Sequence, residues 1–336
     1  VYETALTVFL APADHTPFFA GTYFPPEARH GLPSFTDLLQ RVHAAWQEQR
    51  GAIEEQNRSL QLALQRLEPQ PGADLPAGDL LGTAVAQLAQ HFDPVNGGFG
   101  SAPKFPHPGN LDFLLRYAQQ TGDRQAQHMA LLTLQQMANG GMHDQLGGGF
   151  CRYSVDEYWM VPHFEKMLYD NAALLAMYAD AWQLDRHRPL FRHVCERTAE
   201  WVLREMQADS GGYYSSLDAD SEGGEGRFYL WQREQVEDLL EAEEFGLFAR
   251  RYGLDGEPNF EGRWNLHLHC DTEQLAAESG LPPRELRRHL KSARDKLLAA
   301  REQRPRPERD EKILASWNAL MIRGMARAGR LLDRPE

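Results

Sequence analysis

The sequence contains little cysteine, and what it has is scattered. Its three cysteines, Cys151, Cys195 and Cys270, lie far apart among 336 residues and form no C-x-x-C pair. Disulfide frameworks and thiolate zinc sites both need cysteines at short, regular spacings. Neither is therefore expected, and no metal or cofactor is predicted. A reducing, cytoplasmic location fits this composition best.

Long apolar runs and an excess of basic residues are also missing. The longest apolar run near the start covers residues 5–12, whereas a membrane helix needs about 20 residues. Acidic residues outnumber basic ones 48 to 35, and the formal net charge is -13. Nucleic-acid binding requires a concentrated basic surface. We therefore predict neither a membrane nor a nucleic-acid partner, and the composition leaves the oligomeric state open.

The chain changes character along its length. Residues 6–10 and 17–24 have the β-branched and aromatic content of strands, and residues 35–66 have apolar residues at helical spacing. Residues 68–78 hold three prolines and two glycines, which predict a linker. The sequence thus predicts a small α/β unit over residues 1–67 and a second unit over residues 79–336.

The second unit has the pattern of a helical repeat. Its Gly-rich loops at residues 93–100, 144–150 and 209–214 each combine an acidic residue, adjacent glycines and an aromatic residue. Helix, Gly-rich loop and helix in succession are typical of stacked helical hairpins, which can close into a ring. We predict a short strand at 228–231 and helices over 80–92, 110–121, 124–139, 164–184, 190–207 and 310–332.

Five strings are distinctive enough to indicate a family. They are Gly-Thr-Tyr-Phe-Pro-Pro at 21–26, Gly-Gly-Phe-Gly-Ser-Ala-Pro-Lys-Phe-Pro at 97–106, Gly-Gly-Gly-Phe-Cys-Arg-Tyr-Ser-Val-Asp at 147–156, Trp-Met-Val-Pro-His-Phe-Glu-Lys-Met-Leu-Tyr-Asp-Asn-Ala at 159–172 and Ser-Trp-Asn-Ala-Leu-Met at 316–321. Together they resemble the spermatogenesis-associated, thioredoxin-domain-containing proteins, and the resemblance spans nearly the whole chain.

This resemblance implies a thioredoxin-like domain fused to a six-hairpin α/α toroid related to N-acylglucosamine 2-epimerases and six-hairpin glycosidases. The expected fold is therefore mainly α: an incomplete toroid that follows the C-terminal part of a thioredoxin-like α/β domain. Because Val1 is almost immediately followed by a strand, the chain looks like an internal fragment. Ala5 replaces the usual family proline, and the cysteine-bearing segment is expected upstream, so a thioredoxin-type site is not expected to be complete here.

The first candidate site lies at residues 159–171. Pro162 predicts a helix start there, so His163 would lie near the positive end of a helix dipole and share a face with Asp170. A neutral imidazole in that position suits a general base. Asp170 is then expected to act with His163 in catalysis, and Glu165 to contact the substrate. Alternatively, His163 and Asp170 only hold a loop against a helix, and Glu165 forms an ordinary surface pair.

The second candidate is the acidic, Gly-rich loop at residues 218–226. Its carboxylates at Asp218 and Asp220 resemble the paired acid and base of glycoside chemistry, and they would contact the substrate. The ligand spacing of an EF-hand is missing, so calcium is not predicted. A solvated acidic loop is the alternative that the sequence leaves open.

The repeat loops supply further candidates. His107, His143 and Arg152 lie in these connections and would recognise a polar or anionic ligand. The aromatic side chains of Tyr153, Trp159 and Tyr214 would stack on sugar faces, with core packing as the alternative.

Together these residues predict a sugar-active enzyme, an epimerase or isomerase more than a hydrolase. In this hypothesis His163 abstracts a proton, His107 or His143 returns it, and Arg152 and the acidic loop orient a small, sugar-like substrate. Two other functions stay open at this point. One is a redox or protein-folding role for the thioredoxin-like part, and the other is a non-catalytic scaffold that binds a glycan or a partner.

Overall fold

The structure is a computed structural model that describes residues 7–22, 24–28, 31–68 and 78–334. The chain divides into two compact units, Val1–Gly78 and Asp79–Glu336. The division falls at the end of the predicted linker. Ala5 and residues 69–77 of that linker lie outside the described residues.

The small unit begins with an antiparallel hairpin of β1 (Thr7–Leu10) and β2 (Pro17–Gly21). Two helices follow, α1 (Phe35–Glu48) and α2 (Arg50–Leu67). The sequence predicts one helix here, but Gln49 leaves the helical region with φ -121° and ψ 29° and separates the two. The predicted order of two strands followed by helix is otherwise observed.

The large unit is helical, with short strands in its loops. Among its described residues, no helix is both long and apolar enough to cross a membrane. A π-helical turn, Val202–Met206, extends the seventh helix. In chain order the elements are α3 (Leu80–His91), α4 (Pro108–Thr121), α5 (Arg124–Asn139), β3 (Tyr153–Ser154), β4 (Pro162–His163), β5 (Lys166–Met167), α6 (Leu168–Leu184), α7 (Pro189–Trp201), β6 (Ser216–Leu217), β7 (Asp220–Ser221), β8 (Gly224–Glu225), α8 (Arg233–Leu239), α9 (Ala242–Tyr252), α10 (Thr272–Ser279), α11 (Pro283–Arg301), β9 (Arg309–Asp310) and α12 (Ala315–Leu332).

Five helices of this unit pack in neighbouring groups: α6 contacts both α4 and α12, and α5 contacts α7. Helices α6 and α12 run in the same direction, because Tyr169 contacts Trp317 near their starts and Asp180 pairs with Arg327 further along. Hairpins stacked with like helices in one layer are the arrangement of an α/α toroid, which confirms the predicted mainly α class.

Helix α6 lies at the centre of this packing and is apolar on nearly all sides. Its residues Leu168, Leu174, Leu175 and Ala181 have no exposed surface. The one buried hydroxyl among its large side chains, on Tyr178, donates a 2.6 Å hydrogen bond to the Leu134 carbonyl. Burial on several faces explains why this helix lacks the one-sided apolar stripe of a surface helix.

Two of the Gly-rich loops are built alike. The Asp93 carboxylate accepts hydrogen bonds from the backbone of Val95 and Asn96, and the Asp144 carboxylate accepts them from Leu146 and Gly147. Each loop is also closed by an isolated β-bridge between the residue before the aspartate and the aromatic residue at its end. The predicted internal repeat is therefore visible in backbone geometry.

A buried lysine locks each of these two loops. Lys104 Nζ lies 2.8 Å from Asp93 Oδ2, and Lys166 Nζ lies 2.9 Å from Asp144 Oδ2. Both lysine side chains are completely buried. A buried ammonium group requires such a partner because its desolvation is costly. A buried lysine–aspartate ion pair therefore holds each of these two loops in place. The third loop keeps its bridge, but Asp209 is exposed.

Four helices, α8 to α11, form an insertion between β8 and β9 that the sequence did not lead us to predict. Their own apolar cluster includes Val236, Phe248 and Leu286, all completely buried. The predicted strand at 228–231 is wrong. Residues 226–229 form a turn, and only Trp231 makes a β-bridge, with Trp264.

Candidate functional site

His163 lies on a strand, not at the start of a helix. Strand β4 pairs with β3, which sets His163 opposite Tyr153. Lys166 then pairs with Leu217, so helix α6 begins only at Leu168. The predicted helix start at Pro162 is wrong, because long-range strand pairing and the burial of Lys166 override the local helix signal. His163 therefore does not lie at the positive end of a helix dipole.

Two carboxylates hold the His163 ring. Its Nδ1 lies 2.7 Å from Glu225 Oε1, and its Nε2 lies 3.3 Å from Glu165 Oε2. These hydrogen bonds raise the pKa of His163 to about 9, although burial opposes the shift. His163 is therefore an imidazolium at neutral pH. The predicted neutral general base is corrected to a charged hydrogen-bond donor.

Negatively and positively charged side chains alternate along the contacts that lead from the His163 ring. Arg152 Nη1 lies 2.7 Å from Glu165 Oε2, so Glu165 is shared between Arg152 and His163. The pKa of Glu165 is lowered, first by the hydrogen bond from His163 and then by that from Arg152, against burial. The row Glu225–His163–Glu165–Arg152 is therefore fully charged at neutral pH.

Asp170 lies in the first turn of α6, beside this row. Burial raises its pKa to about 7, while Arg152 lowers it and Glu165 raises it further. A carboxyl group with such a pKa is populated in both forms at neutral pH, so it can accept and return a proton. We refer to Arg152, His163, Glu165, Asp170 and Glu225 as the acid–base cluster.

An aromatic strip borders the cluster. The Tyr153 ring stacks on His163, with 5.1 Å between ring centroids, and on Phe105 at 4.7 Å. Phe105 is 41% exposed. The exposed His107 lies next to it, 6.2 Å between ring centroids, in the left-handed position before α4. The structure thus brings the predicted Tyr153 and His107 to one side of His163.

Trp159 and His143 do not reach this surface. Trp159 is completely buried, and its indole N–H donates a 2.9 Å hydrogen bond to the Asn96 carbonyl. Predicted sugar stacking by Trp159 is therefore wrong. His143 is buried against Phe150, and burial lowers its pKa to about 3. A ring enclosed in this way cannot return a proton to a substrate, which corrects the prediction for His143.

The acidic loop borders the cluster from another side. Asp220 lies opposite Glu225 in the β7–β8 hairpin. Asp218 is two residues from Ser216, and strand alternation puts it on the face that also carries Glu165. Tyr214 instead lies under the guanidinium of Arg309, 4.2 Å from its ring centroid. The predicted aspartates are therefore close to the cluster, whereas the Tyr214 ring is already covered on one face.

Glu225 is the cluster residue that the sequence analysis did not single out, although it lies in the acidic loop. The signal that marks it is the glycine that follows. Gly226 has a φ of 72°, and a side chain there would overlap the Phe164 ring. Only glycine allows the backbone to pass this point and place Glu225 against His163.

Other chemistries find less support. All three cysteines are buried, and burial raises the pKa of Cys151 and of Cys195 to about 12. Nucleophilic thiolate chemistry needs a lowered pKa instead. Within the described ranges, no group of three or more His, Cys, Asp or Glu side chains is arranged to hold a metal ion.

Comparison with known proteins shows what this chain is similar to. The model "Thioredox_DsbH: Protein of unknown function, DUF255" matches residues 4–65. Spermatogenesis-associated protein 20 of Homo sapiens is 38% identical over 363 residues, which cover 98% of this chain and 46% of the relative. Uncharacterized protein B0495.5 of Caenorhabditis elegans is 32% identical, with 98% and 50% covered. The chain spans about half the length of these curated relatives.

Solved structures show weaker likeness. A sugar epimerase from a ruminal bacterium is 14% identical with a TM-score of 0.36, over 74% of this chain and 78% of that one. Cellobiose 2-epimerase from Spirochaeta thermophila is 17% identical with a TM-score of 0.35, over 76% and 81%. Such values carry no argument about activity. The curated relatives match nearly the whole chain, and the chain is therefore similar to the spermatogenesis-associated, thioredoxin-domain-containing proteins, as its sequence motifs predict.

Proposed function

We propose that the helical unit is a sugar-active enzyme that moves a proton on its substrate, as an epimerase or isomerase does. The observation that carries the proposal is the contrast between Asp170 and His163. The pKa of Asp170 is raised to about 7 and that of His163 to about 9, in one cluster. Both groups interact with Glu165, and groups with pKa values shifted in this way can divide the roles of base and acid.

Asp170 is the base in this scheme. Its ionised form takes the proton from a carbon next to a carbonyl group, and the electron pair moves onto the carbonyl oxygen. The same carboxyl group then gives the proton back, either to the adjacent carbon, as the neighbouring hydroxyl proton passes to the first oxygen, or to the other face once the enediolate has turned over. A pKa near the working pH makes both steps accessible.

His163 stabilises the charge that develops on the oxygen. Its contact with Glu165, at 3.3 Å, is longer than its contact with Glu225, at 2.7 Å. The Nε2–H group can therefore donate its hydrogen bond to a substrate oxygen in place of Glu165. Glu165 then stays paired with Arg152. A charged donor aimed at a developing oxyanion lowers the barrier to its formation.

The cluster favours a neutral polyhydroxyl substrate over an anionic one. Arg152, the cation predicted to bind an anion, is already paired with Glu165. Carboxylates at Asp218 and Glu225 add negative charge around the ring. Carboxylates accept hydrogen bonds from sugar hydroxyls, and the partly exposed Tyr153 and Phe105 suit the apolar face of a sugar ring.

The test is solvent-deuterium incorporation into a panel of aldoses, ketoses and N-acetylated sugars, followed by NMR. We expect exchange with the unmodified protein and a loss of at least about 100-fold in Asp170→Asn, in line with the usual contribution of a general base. Glu285→Gln on the exposed side of α11 is the matched control and should keep full exchange. Sugar binding without any exchange would favour a non-catalytic scaffold. Exchange that persists in Asp170→Asn would contradict the assignment.

A further inference from the structure

A second pair of aromatic rings lies on the other side of the acid–base cluster. Tyr169, next to Asp170 in the first turn of α6, meets Trp317 in the first turn of α12 edge to face, with 4.7 Å between ring centroids. Both rings are partly exposed. Trp317 also packs on the main apolar core, so its position is fixed while part of its surface stays open.

Arg152 connects this pair with the cluster. Its guanidinium bonds to Glu165 on one side and faces the Tyr169 hydroxyl on the other. Burial raises the pKa of Tyr169, and Arg152 opposes the shift. Seven side chains therefore form one continuous row on the surface, in the order Phe105, Tyr153, His163, Glu165, Arg152, Tyr169 and Trp317.

A small sheet adds polar groups along this row. Strand pairing aligns Met167, Ser216 and Asp310 across β5, β6 and β9. The neighbouring positions Lys166 and Leu217 face the buried interior, so strand alternation turns this aligned set toward the open side. Ser216 and Asp310 thus offer hydrogen-bonding groups on the face that carries Glu165.

We infer that the site takes a saccharide of at least two rings, with one ring on Phe105–Tyr153, the other on Tyr169–Trp317 and the reacting carbon over the acid–base cluster between them. This inference rests on the proposed function and names its substrate class. One sugar ring covers one aromatic pair, and a second pair beyond the cluster fits a second ring. Rigidly held aromatic faces contribute affinity because little conformational entropy is lost on binding.

Calorimetric titration with saccharides of different length tests the inference. The probes are glucose, mannose and N-acetylglucosamine, each compared with its α- and β-1,4-linked dimers. We expect the preferred dimer to bind at least about 10-fold more tightly than its monomer. Trp317→Leu keeps an apolar side chain in the core but removes the aromatic face, so it should reduce dimer affinity to the monomer value.

Two further variants complete the design. Phe105→Leu at the exposed opposite end should weaken monomer and dimer alike, and it does not depend on packing between α6 and α12. Trp182→Leu, a partly buried aromatic change elsewhere on α6, is the matched control and should alter neither affinity. Equal affinity for every monomer and its dimers, with deuterium exchange intact, would overturn this inference alone. If no saccharide binds or exchanges, the proposed function falls as well.

Discussion

His163 and Glu225 are 62 residues apart in the sequence, yet Nδ1 of one lies 2.7 Å from Oε1 of the other. The contact orients the imidazole ring and keeps it charged. Glu225 reaches this position from the β7–β8 hairpin, so the hairpin and strand β4 depend on each other. The relationship can be tested on Glu225 itself.

Removing the Glu225 charge should lower the pKa of His163. In Glu225→Gln the ring keeps a hydrogen-bonding neighbour but loses one of its two carboxylates, so the value of about 9 should fall by about one pH unit or more. NMR titration of the His163 ring protons measures it. Glu222→Gln at the exposed tip of the same hairpin is the control. An unchanged His163 titration in Glu225→Gln would mean that Glu165 alone sets the charge.

Acid stability should be limited by the buried His143 and the half-buried His193. Burial lowers the pKa of His143 and of His193 to about 3, from an ordinary value near 6.5. The unfolded chain therefore binds more protons between these values, so this contribution to stability is complete above about pH 6.5 and is lost as the pH falls toward 3.

A substitution at His143 checks this dependence. Neither ring nitrogen of His143 has a hydrogen-bond partner among the residues that the structure describes, and the ring packs on Phe150. His143→Phe should therefore lose less stability between pH 7 and pH 4 than the unmodified protein, as followed by urea unfolding. His187→Gln changes an exposed histidine and should follow the unmodified protein. Equal acid sensitivity of the unmodified protein and His143→Phe would contradict the assignment.

The lysine that closes the second loop should contribute strongly to stability. Lys166→Met leaves the buried Asp144 with Arg301 but without its ammonium partner, and breaking a buried ion pair typically costs about 3–5 kcal/mol. We expect a loss near the lower end of that range, because Arg301 remains. Urea denaturation measures it. Lys291→Met, at a side chain 69% exposed, should change stability by less than about 0.5 kcal/mol. If Lys166→Met lowers the free energy of unfolding no more than this control does, the Lys166–Asp144 ion pair is not stabilising.

Close packing of α6 on α12 makes a glycine necessary. A Cβ atom at Gly324 would lie 2.7 Å from the Ala172 carbonyl oxygen, so Gly324→Ala should push the helices apart at a cost of about 1–3 kcal/mol. Gly246→Ala on α9 meets nothing within 4 Å and should be neutral or stabilising by up to about 1 kcal/mol. Thermal unfolding of both variants compares them. A higher melting temperature for Gly324→Ala than for Gly246→Ala would contradict this account.

Local signals predicted the helices well where contacts are local. Helix α5 was predicted over residues 124–139, and it extends from Arg124 to Asn139 with Asp123 as its cap. The predicted start of helix α6 lies four residues before the observed one. Pro162 resembles a helix start, but it belongs to strand β4, which pairs with strand β3. No local pattern reveals the pairing of Lys166 with Leu217, since the two strands are far apart in sequence.

The sequence predicts most residues of the acid–base cluster but not the protonation state of His163. The single segment from Arg152 to Asp170 supplies four of the five cluster residues, and sequence reasoning selected all four. Glu225 was missed because it arrives from a distant hairpin. The protonation state of His163 could not follow from its own segment alone, since the carboxylate at 2.7 Å belongs to that hairpin.

The two buried lysines make each Gly-rich loop depend on the segment that follows it. Lys104 precedes α4 and fastens the loop that ends α3, and Lys166 precedes α6 and fastens the loop after α5. Each of these two loops is thus held by the segment that leads into the next helix. His163 lies three residues before Lys166. The buried ion pair that connects two hairpins therefore also fixes the backbone that carries the His163 imidazolium ring.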